Sequence, residues 1–138
     1  FAGSGNFTEV LAAHFATVVA VEGDQSALQQ LSVLVPDRVQ THALNLFSLP
    51  AVEAWISERQ GIRVLVLDPP REGLKVRVPF IKQLTELEMV IYVTCDLATW
   101  ARDCKDFLEQ GFRLTRVTPL DLFPQTPHLE VLSVLTRA

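Results

Sequence analysis

Apolar and polar positions fall into short blocks whose period changes along the chain. Phe7, Val10, Leu11 and Phe15 recur at helical spacing. A β-branched run at 17–21 predicts a strand, and Glu22-Gly23-Asp24 ends it in a turn whose Asp24 is placed to cap a second helix reaching about residue 34. Pro36-Asp37 breaks that helix, and 38–44 alternates as a short strand. Pro50 suits the first turn of a third helix, with Val52, Trp55 and Ile56 on one face up to Gly61. Next come an apolar strand at 62–67, a helix at 79–87 with Phe80, Ile81 and Leu84 inward, and a strand at 89–94. The polar stretch 96–110 reads as a helix that Gly111 closes from the C′ position, and strands at 112–118 and 129–136 finish the chain.

Strand and helix alternate four times, which predicts an α/β, Rossmann-like domain: a mostly parallel sheet with helices on both faces. The last connection is different. Residues 119–128 are too few for the dozen or more that a parallel crossover needs, so the final strand is expected to run antiparallel. The start of an antiparallel strand lies at the same sheet edge as the ends of its parallel neighbours. Glu130 is therefore expected to join Glu22, Asp68 and Cys95 there. Phe1-Ala2-Gly3-Ser4-Gly5 reads as the tail of a truncated first strand and its turn, so residues 1–138 are expected to be one domain of a longer protein.

Composition narrows the picture. Hydrophobic residues at 49% and charged residues at 20% describe a globular chain, not a disordered one. No apolar stretch approaches the roughly 20 residues of a membrane helix, so no membrane association is expected. The net charge is −4, and the densest basic run is Arg71-Glu72-Gly73-Leu74-Lys75-Val76-Arg77. A broad phosphate-binding surface is thereby excluded, and any grip on nucleic acid must come largely from other parts of the protein. Two cysteines, Cys95 and Cys104, make neither a disulfide framework nor a metal-ligand cluster, which fits a reducing cytoplasm and no bound metal.

Candidate chemistry gathers at the strand ends. Gly3-Ser4-Gly5 offers a turn tight enough for a ligand to approach backbone N–H groups ahead of a helix, or is a plain strand-to-helix turn. Glu22, at the next strand end, stands where a carboxylate receives two ribose hydroxyls, a feature shared by NAD and S-adenosyl-L-methionine. In Asp68-Pro69-Pro70-Arg71 two prolines stop both strand and helix and hold a carboxylate at the edge, either for a base edge or as a turn cap. Cys95 is either inert packing or a thiol whose anionic form the following helix start favours. Cys104, mid-helix, reads as packing, and His128 as a loop residue.

Taken in order, Phe1-Ala2-Gly3-Ser4-Gly5-Asn6-Phe7-Thr8, Asp68-Pro69-Pro70-Arg71, Tyr92-Val93-Thr94-Cys95, Ala98-Thr99-Trp100-Ala101-Arg102-Asp103 and the segment from Asp121 to Glu130 resemble the catalytic domain of the S-adenosylmethionine-dependent RNA 5-methyluridine methyltransferases. The resemblance implies that Cys95 adds to C6 of a uracil, that Glu130 removes the C5 proton and that Asp68 holds the pyrimidine's polar edge. It implies that Gly3, Gly5, Asn6, Glu22 and Asn45, with Asp68, hold S-adenosyl-L-methionine. The partner implied is RNA with an unpaired or flipped uridine, bound through the full-length protein. One departure stands out: where that family usually has Asn-Pro after the cysteine, this chain has Asp96-Leu97, which puts a second negative charge beside the sulfur. An amino-group methyltransferase, a non-catalytic cofactor-binding module and an NAD-binding domain stay open beside this reading.

Overall fold

The computed structural model describes every residue except 36, 76, 77, 123, 126–128 and 138, together with all side chains but that of Val78. Pro36, Arg77, Phe123, Thr126, Pro127 and His128 therefore lie outside the described residues. The chain divides into two compact units, Phe1–Ala51 and Val52–Ala138.

The first unit runs α1 (Asn6–His14), β1 (Val18–Glu22), α2 (Gln25–Leu34) and β2 (Val39–Ala43). The two strands pair in parallel, with Ala20 opposite Thr41. Asp24 caps α2 as expected, its carboxylate accepting the N–H groups of Ser26 and Ala27 at 2.7 and 3.0 Å. Leu31, on the inward face of α2, is fully buried and packs in a small core with Ala12, Ala20 and Val39. Helix α3 (Leu49–Ser57) crosses the boundary between the units, with Pro50 in its first turn. It stops short of the expected Gly61 because its last carbonyls find partners early. The Ser57 hydroxyl and the Arg59 N–H donate to the carbonyls of Ala54 and Ile56, both at 2.8 Å.

The second unit holds β3 (Val64–Leu67), α4 (Val78–Gln83), β4 (Met89–Thr94), α5 (Leu97–Glu109), β5 (Phe112–Leu120) and β6 (Glu130–Arg137). Its four strands lie in the order β3-β4-β6-β5. Strand β3 is parallel to β4, and β6 is antiparallel to both β4 and β5, as the short last connection requires. Val131, Ser133 and Leu135 bury one face of β6, while Val90, Tyr92 and Val93 of β4 are buried beside it. Helix α5 starts at its Asp96 cap and ends at Gln110, with Gly111 at φ 86° where a left-handed residue is needed. Phe107 and Phe112 meet edge-to-face across that turn, centroids 5.7 Å apart. Helix α4 is shorter than the 79–87 expected. Leu84 and Leu87 reach the core from a turn, closed by the Leu87 N–H on the Leu84 carbonyl at 3.1 Å, which buries both side chains without a further helical turn.

Leu135, fully buried in the middle of β6, supplies the sharpest stability test. Leu135→Ala is expected to cost about 2–5 kcal/mol, read as a lower midpoint of urea unfolding at unchanged slope. Leu114→Ala, on the exposed side of β5, is expected to stay within about 0.5 kcal/mol.

Candidate active site

In the first unit the glycine turn is built around Glu22. The Ala2 N–H donates to the Val21 carbonyl at 3.0 Å, so the chain entering the turn runs along β1. Gly3 and Gly5 take φ values of 55° and 110°, and Gly5 is the residue from which α1 starts. A Cβ on Gly5 would lie 2.6 Å from Leu31 Cδ1, whereas one on Gly3 would meet nothing within 4 Å. Space is therefore open beside Gly3 and closed beside Gly5. Glu22 Oε2 accepts the Gly3 N–H at 2.8 Å, and Oε1 accepts those of Gly23 and Asp24 at 2.7 and 2.9 Å. Burial opposes the Glu22 charge, but the N–H groups of Asp24, Gly3 and Gly23 more than offset it and hold the carboxyl below its ordinary range. A carboxylate has about four lone-pair sites, so capacity for a hydroxyl donor remains. Asn6 is the exposed first residue of α1. Asn45 turns its Oδ1 to the Phe47 N–H at 3.0 Å, which leaves its NH₂ as the outward donor.

In the second unit the topology brings three of the expected residues to one sheet edge. Asp68 follows the last residue of β3, Cys95 follows the last residue of β4, and Glu130 is the first residue of β6. Thr94 pairs with Val131, so Cys95 and Glu130 each stand one step beyond a matched couple on adjacent antiparallel strands. Cys95 and Glu130 are half-buried, and Asp68 reaches solvent. Even so, the chain around Asp68 dehydrates it, and Glu130's charge repels it; both push its carboxyl above the ordinary range. Among the described residues neither of these two carboxylates accepts a hydrogen bond, in contrast to Glu22, Asp24 and Asp96.

Asp96, the departure noted above, is occupied. Its carboxylate accepts the Thr99 N–H at 2.8 Å and the Thr99 hydroxyl at 3.1 Å, and those bonds hold it below the ordinary range, with Arg71's charge adding to them. Its negative charge thus caps α5. The Asp96 N–H donates to Thr94 Oγ1 at 3.1 Å, so the backbone on both sides of Cys95 is tied down. Cys104 is buried, and burial pushes its thiol up to about 12, the inert state expected of it. A concavity of about 620 Å³ lies at the other edge of the sheet, lined by Arg59, Gly61 and Thr85 among others, and Asp68, Cys95 and Glu130 take no part in it.

One cluster was not anticipated from the sequence beyond its place in a motif. Trp100, Asp103, Cys104 and Phe107 form the inward stripe of α5, and Asp103 is fully buried on it. Its Oδ2 accepts the Leu74 N–H and the Tyr92 hydroxyl, each at 2.7 Å, and its Oδ1 accepts Arg102 Nε at 2.9 Å. Arg102 Nη2 also donates to the Glu72 carbonyl at 2.8 Å. The usable signal was a carboxylate at i+3 within an otherwise apolar helical stripe.

Comparison with known proteins gives these residues a context. The family model for tRNA (uracil-5-)-methyltransferases matches residues 54–138. An uncharacterised RNA methyltransferase of Nitrosomonas europaea is 37% identical over 132 residues, which cover 95% of this chain and 34% of that protein. The 23S rRNA (uracil(1939)-C(5))-methyltransferase of Colwellia psychrerythraea is 37% identical over 141 residues, 99% of this chain and 30% of that protein. The chain thus spans about a third of the length of these relatives. Among solved structures, an rRNA methylase from Streptococcus thermophilus (TM-score 0.67, 17% identity, 99% of this chain, 82% of that one) and an S-adenosylmethionine-dependent methyltransferase from Anabaena variabilis (TM-score 0.67, 11% identity, 99% and 74%) share the architecture. These likenesses establish the Rossmann-like methyltransferase fold that the strand–helix alternation predicts. With the family match covering most of the chain and the sequence relatives aligned over nearly all of it, the chain belongs to the tRNA (uracil-5-)-methyltransferase family.

Proposed function

We propose that the protein containing this chain methylates C5 of a uridine in RNA, with S-adenosyl-L-methionine as the methyl donor. The observation that carries this reading is the meeting of Cys95, Asp68 and Glu130 at one sheet edge in a member of this family. Family membership favours it over the amino-group and NAD-binding alternatives.

The first unit fits the donor: a glycine turn with open space beside Gly3, a helix start behind it, and a Glu22 carboxylate with acceptor capacity left. Gly3, Gly5, Asn6, Glu22 and Asn45 are the residues assigned to hold it. When bound, S-adenosyl-L-methionine supplies an electrophilic methyl group on a sulfonium.

In the second unit, Cys95 Sγ forms a bond to C6 of the uracil, and the C5=C6 electron pair moves towards C5 and the O4 carbonyl. C5 thereby becomes the nucleophilic carbon that accepts the methyl. Glu130 then takes the C5 proton; the pair left on C5 re-forms C5=C6 and expels the Cys95 thiolate. Asp68, held at the edge by Pro69 and Pro70, receives the pyrimidine's polar side. A raised carboxyl suits that task, because a protonated Asp68 donates to a carbonyl oxygen and an ionised one accepts from N3–H. A stacked base cannot present C6 to a thiol, so the uridine is unpaired or flipped out.

Incubating the full-length protein with 5-fluorouracil-substituted RNA and donor is expected to trap a covalent complex, since fluorine cannot leave as a proton. Cys95→Ala should abolish the gel-shifted band, and an undiminished band would refute the reading. Glu130→Gln is expected to leave adduct formation in place while slowing product release roughly 10²–10⁴-fold, measured by quench-flow on unmodified RNA. The same substitution removes the repulsion at Asp68, so the Asp68 carboxyl should ionise at lower pH than in the wild type, followed by ¹³C NMR titration.

A further inference from the structure

We infer that Asp103, through Arg102, is a positioning residue that seats the 68–74 loop, and Asp68 with it, against the Cys95-bearing end of β4. The assignment rests on the roles proposed above for Asp68 and Cys95.

A carboxylate on the inward stripe of a helix is costly unless its oxygens are fully bonded. Asp103 meets that condition with donors from separate parts of the unit: the Leu74 N–H from the loop, the Tyr92 hydroxyl from β4 and the Arg102 guanidinium from its own helix. Burial, with the Asp103 carboxylate, pushes the Tyr92 hydroxyl far above the ordinary phenol range, so it stays a donor. Arg102 contacts Asp103 Oδ1 a second time through Nη2 at 2.8 Å and extends the hold to the Glu72 carbonyl. The elements joined are those that carry the proposed chemistry. Tyr92 lies three residues before Cys95, and Leu74 lies six residues after Asp68 in the connection between β3 and α4.

Gly73 shows how closely the loop sits on this cluster. Its φ is 67°, and a Cβ there would fall 2.5 Å from Asp103 Oδ2 and 2.7 Å from Arg102 Nη2. The intervening chain is stiff, because Pro69 and Pro70 fix their φ angles and the Gly73 N–H donates to the Pro70 carbonyl at 2.8 Å. A hold on residues 72–74 is therefore transmitted to residue 68. Asp68 has no hydrogen bond of its own among the described residues, so its placement depends on how its loop is fixed.

The test uses full-length protein and the rate of 5-fluorouracil-RNA adduct formation in a single turnover at saturating RNA and donor. Every variant is assayed well below its melting temperature, with folding checked by circular dichroism. Asp103→Asn keeps the shape and removes the charge; Arg102→Ala, at an exposed side chain, unties Glu72 even if the first variant folds poorly. Each is expected to slow the adduct roughly 10- to 100-fold, the scale of an ångström-level misplacement, with the RNA KM within threefold. Ser133→Ala is the control. It deletes the part-buried bond that ties α5 to the sheet, from Trp100 Nε1 at 2.9 Å, together with its own donation to the Tyr92 carbonyl at 3.3 Å, and leaves residues 72–74 and the Asp103 carboxylate alone. It should lower the melting temperature and keep the rate within threefold. Rates unchanged in both loop variants, or slowed as much in Ser133→Ala, would overturn the positioning role alone. A wild-type protein that forms no adduct would overturn the uracil reading and this assignment with it.

Discussion

The antiparallel ladder between β4 and β6 is the constraint on which the candidate site depends. Strand β6 is eight residues long, so a parallel β6 would carry Glu130 to the far edge, roughly 25 Å from Cys95. Reversing one strand removes that distance and needs no long loop to reach across. The same ladder is part of the core of the second unit, with Val90, Tyr92, Val131 and Leu135 all buried. The geometry of the proposed chemistry therefore borrows its rigidity from the core, and the core residues need no chemical role of their own.

Carboxylates in this chain divide by what surrounds them. Glu22, Asp24, Asp96 and Asp103 each accept backbone N–H groups, and each fixes a turn or a helix start. Asp68 and Glu130 are set apart, close enough to repel each other and free of such bonds among the described residues. Holding two like charges near each other is unfavourable, and it persists here because the strands, not the side chains, determine where they stand. This is the arrangement expected where polar groups are kept available for something that is not part of the chain.

Much of this was legible from local pattern. Asp24 stands where a cap stands, Gly111 follows its helix at the left-handed position, and the brevity of the β5–β6 connection implied the direction of β6. What escaped was set by contacts between residues distant in sequence. The Leu74–Asp103 bond spans 29 positions and the Gly3–Glu22 bond 19, and no periodicity reports either. Helix α4 ended early for a related reason. Leu84 and Leu87 fit a helical repeat, yet a turn buries them equally well, and hydrophobic spacing alone does not distinguish the two. Asp96, read from the sequence only as a charge beside the thiol, also caps the helix that follows it.

The irregularity between β5 and β6 has a consequence outside the site. Strand β5 is at the outer rim of its four-stranded sheet, where unpaired backbone groups invite another chain to add on. Thr115 is squeezed out of register between Leu114 and Arg116, its hydroxyl donating to the Val134 carbonyl at 3.1 Å, and Pro119 lacks an N–H altogether. With Arg113 and Arg116 exposed on the same strand, the border offered to a second copy is kinked and charged. Irregular backbone and like charge along a long marginal strand are features that discourage edge-to-edge stacking.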